Sequence, residues 1–164
     1  MTARRDEAYR TLAELSVPSE PGNERLAMEE VAGTVEGLGL PERTLERLKT
    51  AVAEATMNAM EHGNHYREEA PVFIEVSASE AELSVKITDE GSGPPAFTQE
   101  APDLEAKLEG MQTPRGWGLF LIKSMVDEMN VTGDDSHHTV ELILRLDAND
   151  PSERKEASDG RTAP

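Results

Sequence analysis

The feature that most constrains the fold of this chain is a long, mostly apolar helix with one narrow polar row. Residues 54–63 read Glu-Ala-Thr-Met-Asn-Ala-Met-Glu-His-Gly. Helical residues step about 100° apart, so Glu54, Asn58 and His62 form one row. Apolar residues recur every three or four positions, as on the core face of a helix: Leu45, Leu48, Val52, Ala55 and Ala59. A helix that is apolar almost all round is buried. The polar row therefore predicts an internal site, where a carboxylate and an amide can hold a metal ion, a water and a phosphate.

Composition excludes several classes of protein. The chain has 164 residues, enough for one domain with a sizeable core, and it has no cysteine, which excludes disulfides and thiolate metal sites. Its net charge of −17 opposes binding to nucleic acid and to anionic membranes, both of which attract basic proteins. No segment has the apolar run of a signal peptide or of a membrane span. We therefore expect a soluble cytoplasmic protein that binds neither nucleic acid nor membrane directly.

Three segments alternate apolar and polar residues, centred on Ile74, Val85 and Leu142. Strict alternation indicates strands with one packed face and one wet face. The short link at residues 78–80 predicts an antiparallel hairpin between the first two strands. Residues 8–17 predict a further strand, at an edge of the sheet.

Helical periodicity and turn residues place three helices in the chain. Their expected ranges are about 23–38, 41–63 and 116–129. Helices can cover only the packed face of such a sheet, so the predicted fold class is α+β: a two-layer sandwich with a mixed, mainly antiparallel sheet and helices on one face. The domain is expected to span residues 8–146. Residues 147–164 have almost no apolar content and are predicted to be a disordered tail.

The motif Asp89-Glu-Gly91-Ser-Gly93 directly follows the second alternating strand. One interpretation is an ordinary turn rich in aspartate and glycine. The other is a binding site in which Asp89, fixed at a strand end, accepts a hydrogen bond from an exocyclic amine. Gly91 and Gly93 would then allow the backbone to approach a flat ring closely.

A second glycine motif, Arg115-Gly116-Trp-Gly118-Leu119, opens the third helix. It is either a glycine-rich loop exit or a phosphate cradle, since free N–H groups at a helix start favour anions. Gly-x-Gly alone is weak evidence, and Arg115 would add a charge-assisted contact. The four histidines match no zinc pattern, and the serines offer no convincing catalytic triad.

The order of these motifs resembles a known family. A helix with Glu-x-x-x-Asn, a strand ending in Asp-x-Gly-x-Gly, a long loop and Gly-x-Gly-Leu opening a helix are similar to the GHKL ATPase superfamily. Within it, the phrases at 54–63 and 116–128 most resemble the bacterial anti-sigma-factor serine/threonine kinases. The resemblance covers residues 12–146, nearly all of the expected domain, and implies the histidine kinase-like ATPase fold.

The resemblance also implies roles in phosphoryl transfer from ATP. Asn58 would coordinate the Mg²⁺ that bridges the phosphates, and Glu54 would take the proton of the incoming serine hydroxyl. Arg115 is the candidate for a cationic catalytic side chain near the end of an ATP lid at about 90–115. His62 either reaches the phosphates or only caps the polar row.

The same resemblance implies the contacts to the nucleotide. Asp89 would bind the adenine amine, with Thr139 as a second polar contact near the base. Gly93 would lie beneath the ring, and Gly116 and Gly118 would cradle the phosphates. The expected cofactor-binding set is Asn58, His62, Asp89, Gly91, Gly93, Gly116, Gly118, Leu119 and Thr139, with ATP and Mg²⁺ as cofactors.

Taken with the resemblance, the chain is expected to be an ATP-dependent serine/threonine protein kinase that acts as an anti-sigma factor. Its expected partners are a sigma factor and a small anti-sigma-factor antagonist, which is the phosphorylation substrate, and it is expected to form a homodimer. The alternative is a nucleotide-dependent binding module without phosphoryl transfer. The catalytic half of a histidine kinase and a gyrase-type ATPase are disfavoured, because no phosphoacceptor helix and no transducer domain is visible in the sequence.

Overall fold

The computed structural model describes residues 9–91 and 118–146. These residues form five strands and three α-helices, with a short 3-10 turn at Glu36–Leu38 and a π-helical segment at Ala59–Gly63. In chain order the elements are β1 (Arg10–Val17), α1 (Asn23–Thr34), α2 (Glu42–Asn58), β2 (Val72–Ala78), β3 (Glu82–Asp89), α3 (Gly118–Met125), β4 (Glu128–Gly133) and β5 (His138–Arg145). The predicted tail at 147–164 lies outside the described residues.

The five strands form one sheet in the order β1-β2-β3-β5-β4. β1 is at an edge, as predicted, and β2 and β3 form the predicted hairpin. Ser79 stabilises the hairpin turn, because its Oγ accepts hydrogen bonds from the backbone N–H groups of Ala81 at 3.2 Å and Glu82 at 3.1 Å. All four pairings in the described residues are antiparallel, so the parallel component of the predicted mixed sheet does not occur there.

The core lies between one face of this sheet and the helices. Along β2, Val72, Ile74 and Val76 are buried, while Phe73 on the other face is 45% exposed. The helix α2 packs against both α1 and α3 and buries Leu48, Ala51, Val52 and Ala55. The α+β two-layer fold class is therefore confirmed. None of the helices in the described residues is long and apolar enough to cross a membrane.

The predicted third helix is too long at its C-terminal end. It stops at Met125, and Met129 belongs to the edge strand β4. Val126 and Met129 fit a three-residue helical spacing, but Met129 and Val131 also fit the alternation of a strand. Pairing with β5 decides between them, and Asp127 fixes the turn: its N–H donates to the carbonyl of Ile143 at 3.0 Å.

The packing of α2 makes a stability prediction. Leu48 is 0% exposed in the core, whereas Leu26 on α1 is 44% exposed. We expect Leu48→Ala to lower the free energy of unfolding by about 2–5 kcal/mol, because it removes buried apolar surface and leaves a cavity. The matched control, Leu26→Ala, should change it by less than about 0.5 kcal/mol. Urea denaturation followed by circular dichroism measures both values, and equal effects would contradict this description of the core.

Candidate functional site

The π-helical segment that continues α2 and the end of β3 meet at a position where only glycine fits. Gly63 packs directly on the carboxylate of Asp89, the last residue of β3. A Cβ added at residue 63 would lie 2.1 Å from Cγ of Asp89 and 2.2 Å from its Oδ2, far inside contact distance. Any side chain there would push the helix end away from the strand end. Sequence reasoning treated Gly63 only as a helix stop and missed this close approach.

Asp89 is buried, at 2% exposure of the whole residue, and one oxygen of its carboxylate has two donors beside it. Its Oδ1 accepts a hydrogen bond from the N–H of Gly91 at 2.7 Å and lies 3.1 Å from Nδ1 of His138. A carboxylate oxygen can accept more than one hydrogen bond, and the second oxygen, Oδ2, faces Gly63. The group therefore combines fixed orientation with further acceptor capacity.

Burial sets the protonation chemistry of this group. Desolvation raises the pKa of Asp89 above its ordinary value, because the charged form loses water. The hydrogen bond from Gly91 and the neighbouring His138 oppose this effect and lower the pKa, but burial is the larger influence. A buried carboxylate with a raised pKa at the end of a strand is typical of a functional site.

Asn64 locks the elements around Asp89 together. It is fully buried, and its Nδ2 donates to Oγ of Ser19 at 3.0 Å and to the carbonyl of Ala70 at 2.8 Å. Its Oδ1 accepts the N–H of Glu90 at 2.7 Å. One amide thus ties the end of α2 to the loop after β1, to the start of β2 and to the end of β3. Sequence reasoning missed this role; an asparagine next to a helix-ending glycine was the available signal.

The first two members of the predicted polar row lie on one side of α2. Glu54 and Asn58 are four residues apart within continuous α-helix, so their side chains are neighbours. Asn58 is buried, at 5% exposure. Glu54 is half-buried, and its Oε1 is shielded from solvent. A carboxylate and an amide are therefore presented together by the helix whose end contacts Asp89.

The third member of the row, His62, does not follow this spacing. The α-helix ends at Asn58 and continues as π-helix through Gly63, with the N–H of Asn64 bonded to the carbonyl of Ala59 at 2.9 Å. A π-turn holds more residues than an α-turn, so the four-residue alignment fails beyond Asn58. The His62 side chain is 42% exposed, with Glu61 at 4.0 Å. Ligand binding by His62 stays a prediction, and the exposed position of its side chain adds no support to it.

Thr139 lies on a different face of the sheet from Asp89. Strand alternation places it on the open face of the sheet, where its hydroxyl lies 2.9 Å from that of Thr88. Both threonines line a shallow groove of about 520 Å³ on that face. The residue that stands opposite Asp89 in the β3–β5 pairing is His138, one position earlier. Side chains alternate between the two faces of a strand, so Thr139 and Asp89 lie on opposite faces, and the contact of Thr139 with the base stays a prediction.

The remaining predicted site residues lie at the start of α3 or outside the described residues. Gly93, Arg115, Gly116 and most of the expected lid at 90–115 lie outside the described residues. Gly118 begins α3, and Leu119 is half-buried in its first turn. Within the described ranges no three histidine or acidic side chains cluster to form a metal site.

Comparisons with known proteins identify the family of this chain. A family model described as a histidine kinase-like ATPase domain matches residues 17–144. Similar curated proteins include the anti-sigma F factors of Bacillus thuringiensis (strain Al Hakam), Bacillus mycoides (strain KBAB4) and Bacillus anthracis (strain CDC 684 / NRRL 3495). Each is 32% identical over 125 residues, which cover 71% of this chain and 80% of the relative.

A solved structure shares the fold. The crystal structure of the RsbU and RsbW domains of a Mycobacterium tuberculosis protein matches with a TM-score of 0.58 at 14% identity. The match covers 81% of this chain but only 32% of that one, so the chain spans about a third of its length. Such low identity supports the fold alone. With the family match over most of the chain, the resemblance read from the motifs is confirmed, and the chain belongs to the histidine kinase-like ATPase family, a GHKL-type ATP-binding domain similar in sequence to anti-sigma F factors.

Proposed function

We propose that this protein is an ATP-dependent serine/threonine protein kinase that acts as an anti-sigma factor. It would phosphorylate a small anti-sigma-factor antagonist and sequester a sigma factor. The observation that carries the proposal is the buried carboxylate of Asp89, held against the end of the helix that presents Glu54 and Asn58. A purine-amine acceptor and a carboxylate–amide pair on one rigid support are what phosphoryl transfer from ATP to a hydroxyl needs.

Asp89 is the proposed acceptor for the adenine amino group. Its Oδ1 is already bonded to Gly91, and the nearby His138 ring restricts the carboxylate further. The amino group on the flat adenine ring can donate a hydrogen bond to the remaining acceptor positions of this carboxylate. Because the site is buried, this hydrogen bond would be stronger than in water, and a base without a donor at that position would leave a desolvated acceptor unpaired.

The pair on α2 is proposed to act at the phosphate end of the nucleotide. Asn58 offers an uncharged amide oxygen, which suits Mg²⁺ because this ion keeps several waters and takes few protein ligands beside substrate phosphates. Mg²⁺ would supply charge neutralisation at the phosphates. Glu54, one turn earlier, would accept the proton of the serine hydroxyl as that oxygen bonds to the terminal phosphorus and the bond from this phosphorus to the leaving ADP breaks. Arg115 and the glycines at 116 and 118 are proposed to contact the phosphates.

The proposed partners come from the relatives. The matched curated proteins are named anti-sigma F factors, which supports a sigma factor as the binding target and an antagonist as the substrate. A homodimer is proposed as the working assembly. The net charge of −17 would favour partner surfaces that are basic where they meet this chain.

Glu54→Gln separates chemistry from binding. We expect serine phosphorylation to fall by at least about 10²-fold, because the amide cannot take the hydroxyl proton. The Kd for Mg-ATP should change by less than about threefold, since the side chain keeps its size and its place on α2. Mass spectrometry of the antagonist encoded nearest to this chain's gene measures the first quantity, and titration calorimetry measures the second.

Glu61→Gln is the matched control, because Glu61 lies on the same helical run but outside the proposed machinery, and it should leave both quantities unchanged. Full phosphorylation by Glu54→Gln would remove Glu54 from the role of base. If the wild-type protein binds nucleotide and sigma factor but leaves every antagonist unmodified, the chain is a binding module instead of a kinase.

Asp89→Asn should weaken ATP binding and raise the free energy of unfolding at neutral pH. Asparagine keeps an oxygen for Gly91 and His138 but places a donor where the carboxylate presents Oδ2, so the Kd should rise by at least about tenfold. The pKa of Asp89 is raised in the folded state, so its ionised form opposes folding. The protonated form of Asp89 contributes stability below the ordinary pKa of the group. This contribution is lost as the pH rises through the raised pKa of the folded state.

The variant does not titrate at this position, so its unfolding free energy relative to wild type should rise from about pH 3 upward and level off above the folded pKa. Urea denaturation across that range measures the difference. A difference that falls as the pH rises would contradict the dominance of burial at Asp89.

A further inference from the structure

We propose that His138 is a positioning residue for nucleotide recognition. Its ring fixes the Asp89 carboxylate in the orientation that accepts the adenine amino group, so the preference for adenine depends on a side chain that need not touch the base. This inference rests on the proposed ATP binding and names a residue outside the expected cofactor-binding set.

The position of the ring follows from the sheet. His138 is the first residue of β5 and stands directly opposite Asp89 in the antiparallel pairing with β3. The His138 side chain is 7% exposed and that of Asp89 is 3% exposed, so water does not separate them. Nδ1 and Oδ1 are 3.1 Å apart, within the range of an N–H···O hydrogen bond. An ionised carboxylate can only accept, so Nδ1 is the donor.

Two donors constrain the carboxylate more than one. The N–H of Gly91 approaches Oδ1 at 2.7 Å from the chain that leaves β3, while the His138 ring approaches the same oxygen from the neighbouring strand. The backbone N–H of His138 also bonds to Asp89. The ring adds a side-chain donor to these backbone bonds, which restricts rotation of the carboxylate further and sets the direction of Oδ2.

The ring also shapes the start of the segment after β3. A Cβ added at Gly91 would lie 2.7 Å from both Cε1 and Nδ1 of His138, so backbone and ring are in close contact there. The same histidine therefore holds the Asp89 oxygen and packs against the backbone that supplies its second donor. Loss of the ring would loosen both.

A purely structural role does not explain a histidine at this position. The next residues on the same face of β5 are Val140, Leu142 and Leu144, all apolar and buried. An apolar residue at 138 would continue that pattern without the desolvation cost of an imidazole. The imidazole instead places its Nδ1 beside Asp89, which indicates that the histidine serves to form this hydrogen bond.

The test compares two nucleotides in the full-length protein. One is ATP, and the other is purine riboside 5′-triphosphate, which lacks the 6-amino group; binding is measured by titration calorimetry with Mg²⁺. Wild type should prefer ATP by at least about tenfold, and Asp89→Asn should lose that preference. In His138→Leu the Kd for ATP should rise by about tenfold, which removes most of the preference, while the Kd for the analogue that lacks the amine changes little.

Amide variants separate positioning from bulk structure. In His138→Asn the side-chain nitrogen is placed close to the position of Nδ1, so the preference should return to within about threefold of wild type. In His138→Gln the nitrogen is placed farther out, near the position of Nε2, and the preference should stay reduced. His137→Leu, the same change at the exposed neighbouring histidine, is the control and should behave as wild type.

The outcomes are distinct. If wild type does not bind ATP, the proposed function fails and this inference fails with it. If wild type and Asp89→Asn behave as expected but the His138 variants keep full preference for ATP, only the role of His138 is overturned. Equal weakening of both nucleotides would show a merely structural residue. Thermal unfolding verifies that each variant is folded, and the comparison of His138→Asn with His138→Gln decides the matter if the leucine variant does not fold.

Discussion

The contact between a glycine and a buried carboxylate is the constraint on which the site depends. Gly63 has no side chain, so the π-helical segment after α2 reaches the end of β3 and packs on Asp89. Asn64, the next residue, fixes that approach through hydrogen bonds to the start of β2 and to Glu90 after β3. Helix and sheet are thereby joined at the candidate site, and the residues of α2 acquire a defined position relative to Asp89.

The backbone has unfavourable geometry at this junction. After the π-helical segment, His65 and Tyr66 have φ angles of 52° and 56°, in the left-handed region that glycine usually occupies. Such residues cost about 1–3 kcal/mol each and persist where surrounding interactions fix them. Here the N–H of Tyr66 bonds to the carbonyl of Met60 at 2.8 Å, and Asn64 holds both sides of the turn. Strain, a π-helical turn and a buried carboxylate occur within one small region, as is common at functional sites.

Much of the fold could be predicted because it depends on local pattern. Alternation along β2, β3 and β5 and the helical spacing along α2 are properties of short segments, and burial follows the same periodicity in the structure. β4 was missed because Val126, Met129 and Val131 satisfy a helical and a strand period equally well over so few residues. The choice between them is made by backbone hydrogen bonds to β5, which no local pattern contains.

The sequence by itself predicted the α+β class and, through its motifs, the family, and both are confirmed; it also singled out Glu54, Asn58 and Asp89 as candidates for the site, which stay predictions. Those conclusions rest on short-range spacing and on side-chain identity. The contacts of Gly63, Asn64 and His138, the displacement of His62 from the polar row and the face occupied by Thr139 appear only in the folded chain. Each depends on a contact between distant segments or on the change from α- to π-helix, and such packing is set by the whole core.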